Sequence, residues 1–231
     1  MRPIADRYIL LMASLPSIRL LGEKELPINP ARLAERMKLL EPEDRAELEA
    51  IAAILSWNRI DTGEDDAAYV ARAERTLAAI RSATLRAAAL ERLEIRTVIA
   101  ALRRRHAGEP APAQGTLWGI GRQVDTIRRN WSQPDFGLGR QMPWIGPARE
   151  KLESGDSAGL ERLILDTTWR AAGRHEFGHE FDFEAVVFYL MRWQLADRWA
   201  RYDADGAAAR FAQLLEAALP KTLAHPHEDA A

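Results

Sequence analysis

From Pro30 to Gly108 the apolar residues recur every three or four positions, and that period limits this stretch to helices packed on a common core. Asn29-Pro30 supplies a cap and a first-turn proline, and Leu33, Met37 and Leu40 follow at helical spacing. Pro42 opens the next helix. There Glu43, Asp44 and Glu47 sit near the positive end of the helix dipole, and Leu48, Ile51, Ile54 and Leu55 form an apolar stripe ending near Trp57-Asn58. After the polar connection Asp61 to Asp66, Tyr69, Val70, Leu77 and Ile80 begin a long alanine-rich helical stretch, in which Thr84 is a candidate cap for a renewed start. Ile95, Val98, Ile99 and Leu102 then share a face until Gly108 and Pro110 stop the helix.

The two ends read differently. Tyr8-Ile9-Leu10-Leu11-Met12-Ala13-Ser14-Leu15-Pro16 is a continuous apolar run that a buried strand and a short helix satisfy equally. Ala107 to Gly115 is the best internal linker, and beyond it lie six of the seven tryptophans. The stretch Asn130 to Pro147 is rich in Gly, Pro and aromatics, and Trp131, Phe136, Met142 and Trp144 need surface to bury against, so it predicts an ordered, irregular loop. A short helix from Pro147 and another from Asp156 through Ala172 follow, with Gly173 as terminator. Asp182 caps a helix carrying Val186, Leu190 and Trp193, Asp203 to Gly206 breaks it, and a last helix carries Phe211, Leu214, Leu215 and Leu219 to Pro220. The expected architecture is therefore mainly α, of antiparallel packed helices with room for one short N-terminal strand. It divides into an N-terminal helical part over 1–108, an aromatic-rich helical part over 109–220 packed with it as one unit, and a flexible tail over 221–231.

Composition removes several functional classes. With 32 basic and 34 acidic residues among 231, the formal net charge is −2, without the positive field of a general DNA-binding protein. Cysteine is absent, which excludes disulfides, thiolate zinc sites, iron–sulfur clusters and cysteine nucleophiles, and suits a reducing cytoplasm. The first residues do not predict a secretory leader, and no uncharged apolar stretch approaches the roughly 20 residues that span a bilayer.

One short motif carries chemistry. His175-Glu176-Phe177-Gly178-His179 satisfies H-E-x-x-H, which on a helix turns two imidazoles to one side as zinc ligands with the glutamate as general base. Its context opposes that reading. Gly173 precedes it, Gly178 lies inside it, and no apolar helical face leads into the first histidine. The extended form needs a glycine and a histidine where Asp182 and Ala185 stand, and Asp197 lies roughly 27 Å further along an uninterrupted helix. Arg103-Arg104-Arg105-His106, with Arg122, Arg128 and Arg129, could contact phosphates, but cations in a last helical turn are explained by the dipole, and nucleic acid is not expected as a partner. Gly119-Ile120-Gly121 lacks the third glycine and the preceding strand of a dinucleotide site, and neither a P-loop nor a serine nucleophile elbow is present. These patterns point away from catalysis and predict no cofactor.

Four blocks, in order over about 200 residues, resemble a family of bacterial proteins encoded with vacuolar-type (V/A-type) ATPases, where they take the place of the C-type (also called d-type) component of the central stalk. The first is Tyr8 to Pro16. The second is Ile127-Arg128-Arg129-Asn130-Trp131-Ser132-Gln133-Pro134-Asp135-Phe136-Gly137-Leu138 followed by Pro143-Trp144. A third runs from Phe181 to Leu190, with Trp199 and Gly206 after it, and Leu102-Arg103-Arg104-Arg105-His106-Ala107-Gly108 is similar to the arginine-bearing helix end of the stalk component itself. The chain is markedly shorter than that ordinary stalk component. The resemblance implies a mainly helical, non-catalytic coupling part between rotor shaft and membrane ring, cytoplasmic and held at the inner membrane only through the complex. Trp131, Phe136, Arg140 and Trp144 are the candidate partner contacts, because exposed aromatics beside arginine favour recognition, and a place in the core suits them equally. The alternative is a zinc-dependent hydrolase with His175 and His179 as ligands and Glu176 as base.

Overall fold

The computed structural model describes residues 7–20, 26–56 and 64–218, with side chains described to residue 202. Outside them lie Trp57-Asn58, the first half of the connection Asp61 to Asp66, Leu219 and Pro220 of the expected last helix, and the tail over 221–231. Nine helices and no strand occur among the described residues: α1 Ile9–Ala13, α2 Pro30–Met37, α3 Pro42–Leu55, α4 Asp66–Ala79, α5 Ala83–His106, α6 Val124–Arg129, α7 Ile145–Glu153, α8 Ser157–His175 and α9 Phe183–Ala218.

The apolar N-terminal run is a helix, which removes the alternative of a strand. Of α1 only Leu11 is buried, while Ile9 and Leu10 face outward, so the run is not the fully buried segment a central strand requires. Sequence signals at the helix starts are mostly literal. Asn29 accepts from the Arg32 N–H at 2.8 Å with Pro30 in the first turn, and Asp156 accepts from Gly159 at 2.8 Å. Between α4 and α5 the cap is Ser82, which accepts from the Leu85 N–H at 3.3 Å, rather than Thr84. Three further boundaries differ from expectation. Helix α7 starts at Ile145, α8 runs past Gly173 to His175, and α9 continues through Asp203–Gly206 to Ala218. One helical glycine costs only about 1 kcal/mol, which alanine-rich flanks and packing offset.

Helix α5, about 36 Å long at 1.5 Å per residue, is the central element and packs against α3, α4, α6, α7, α8 and α9. Its first half, with Leu85, Ala89 and Leu93, joins α1, α3, α4 and the start of α9 in one core. The second half, with Val98, Ile99 and Leu102, joins Trp118, Ile127, Phe136, Leu138, Ile145 and Ile164 in another. Residues on both sides of the 107–115 linker thus share each core. Smaller clusters fix the remaining ends, Tyr189 and Trp193 of α9 against Ile28 and Leu33, and Leu195 against Leu20 and Leu165. A bidentate pair ties α9 to α8: the guanidinium of Arg198 donates twice to the buried carboxylate of Glu161, one bond being 2.9 Å.

The two glycines near Trp118 let the chain lie on α5. A Cβ at Gly121 (φ +113°) would stand 2.2 Å from Cγ of Glu94, and one at Gly119 would stand 2.5 Å from Cγ2 of Thr97. With backbone that close, Thr97 Oγ1 accepts from the Ile120 N–H at 2.9 Å, and the buried Glu94 accepts from the backbone and guanidinium of Arg122 at 2.9 and 3.0 Å.

Candidate functional site

The H-E-x-x-H segment does not lie along one helix. Helix α8 ends at His175, Glu176 is its C-cap, and a β-turn follows, closed by the His179 N–H donating to the Glu176 carbonyl at 3.1 Å. Gly178, with φ +89°, supplies the left-handed residue this turn needs. Asp182 then starts α9 by accepting from the Ala185 N–H at 2.9 Å.

Each polar member of the motif is held by a different partner. His175 Nε2 lies 2.8 Å from Glu91 of α5, and Arg174 binds the other oxygen of the same carboxylate at 2.5 Å. Glu176 accepts from Arg192 of α9, whose guanidinium also stacks on Trp169 with 4.6 Å between Cζ and the ring centroid. His179 Nδ1 lies 2.6 Å from Asp182 Oδ2. Zinc ligation by His175 and His179 with Glu176 as base needs these three groups to converge, and here they are hydrogen-bonded to three separate partners. The donors that do converge are His179, Asp182 and Glu184, one atom from each lying within 4.8 Å of the others. An imidazole and two carboxylates are chemically competent to hold a divalent cation. Their position at the positive end of α9, where Asp182 already caps the helix, opposes a second positive charge.

The candidate partner contacts are partly turned inward. Phe136 is fully buried, so of its two readings it takes the core one and is not an exposed contact; its backbone takes φ +55° in a turn where Gly137 and Gly139 donate to the Asp135 carboxylate at 2.9 and 3.1 Å. Trp131 and Trp144 are half-buried against the same core, and only Arg140 is exposed. The arginine beside these aromatics is Arg105. Its guanidinium lies 4.3 Å above the Phe136 ring and donates to the carbonyls of Trp131, Gln133 and Pro134, the last at 2.8 Å. Trp131 meets Trp118 edge-on at 6.3 Å and donates its indole N–H to the Glu109 carbonyl at 3.0 Å. The basic run is similarly engaged, since Arg104 pairs with Asp66, and Arg122 with Glu94.

A second polar cluster gave no signal in the sequence. Asp44, buried in α3, accepts from Arg81 at 2.6 Å, from Arg7 at 3.3 Å and from the Tyr8 hydroxyl. Burial and the Asp44 carboxylate push the Tyr8 phenol up to about 12, so it stays protonated at neutral pH, donating to Asp44 while its oxygen accepts from the Glu41 N–H at 3.3 Å. Arg81 also binds Glu47 at 2.5 Å, so Asp44 and Glu47 share one guanidinium within the fold.

No family model matches the chain, and neither a curated protein nor a solved structure matches it. None of the described helices is long and apolar enough to cross a membrane.

Proposed function

We propose that this protein is a non-catalytic part of a bacterial V/A-type rotary ATPase, standing where the C-type (d-type) stalk component stands and coupling the rotor shaft to the membrane ring by contact. In this role it is cytoplasmic, peripheral to the inner membrane, and needs no cofactor. The observation that carries the reading is that the four sequence blocks of the resemblance meet in pairs. The first and third join through the Tyr8 N–H donating to the Phe181 carbonyl at 2.7 Å and the Tyr189 hydroxyl donating to Pro16 at 3.0 Å. The arginine-bearing end of α5 and the second block join through Arg105. Fold-closing contacts of this kind hold the shape of a part that acts by contact, and none of the shared blocks brings residues together on a substrate site. The zinc-hydrolase alternative is disfavoured by the separate hydrogen-bond partners of His175, Glu176 and His179.

The test is affinity purification of the tagged protein from gently solubilised membranes of its own host, with mass spectrometry of the associated proteins and zinc analysis of the same sample. Co-purification of shaft and ring proteins without stoichiometric zinc is the expected result. A solitary protein carrying one zinc per chain would overturn the coupling role.

A further inference from the structure

We draw no further inference here: the strongest candidate, the His179–Asp182–Glu184 side-chain cluster at the start of α9, carries nothing, because Asp182 already caps the helix and holds His179, and no independent feature among the described residues points to a cation there.

Discussion

Gly121 illustrates how one residue sets the path of the chain on α5. Any side chain there meets Glu94 at less than van der Waals distance and must also accept φ +113°, two independent penalties. Gly121→Ala is expected to lower stability by about 2–4 kcal/mol in urea denaturation, and a loss no larger than that of an exposed helix-surface substitution would disprove the close approach. Tyr8 makes a pH-dependent contribution whose sign follows from its raised pKa. The folded state holds the phenol proton to about pH 12 against an ordinary value of 10.0, so its stabilisation is complete below pH 10 and is lost as pH rises through 12. Tyr189 behaves alike through burial alone, its phenol also being pushed up to about 12. Tyr8→Phe should therefore flatten, without abolishing, the fall in the denaturation midpoint between pH 10 and 12. Equal slopes for the two proteins would show that the buried phenol does not titrate with folding.

At the level of the element, helices were legible wherever periodicity and capping coincided, as at Asn29-Pro30 and Asp182. The failures have local causes. Ser82 and Thr84 are both good caps, and what chooses between them is the extended backbone at Ile80, set by packing in the first core rather than by neighbouring residues. Ser82→Ala should cost about 1 kcal/mol and Thr84→Ala less than about 0.5 kcal/mol, as read by thermal unfolding; the reverse order would restore the boundary that the sequence suggested. The candidate site was legible only as a string. Its partners, Glu91 and Arg192, come from α5 and α9, and no local pattern relates them to His175 or Glu176. Likewise, the aromatic density at 130–147 predicted order correctly but not direction, because the inward turn of Phe136 depends on Asp135 and on Arg105 from another helix.

For the whole molecule, the distribution of ion pairs separates a metal-dependent fold from one held by its own contacts. If zinc bridged His175 and His179, its removal would release the junction between α8 and α9 and lower the unfolding temperature. Here that junction is fastened by Glu91, Arg192 and Asp182, so exhaustive chelation is expected to leave the thermal midpoint unchanged. A drop of several degrees, reversed by added zinc, would bring the hydrolase reading back. The bond from the Tyr8 N–H to the Phe181 carbonyl bears on how such a chain is made. The ribosome delivers Tyr8 well before Val186 to Met191, with roughly 10–40 s between them at ordinary elongation rates. For that interval the nascent α1 segment lacks the α9 surface that packs beside Leu11, so the first core is completed only after α9 has been made.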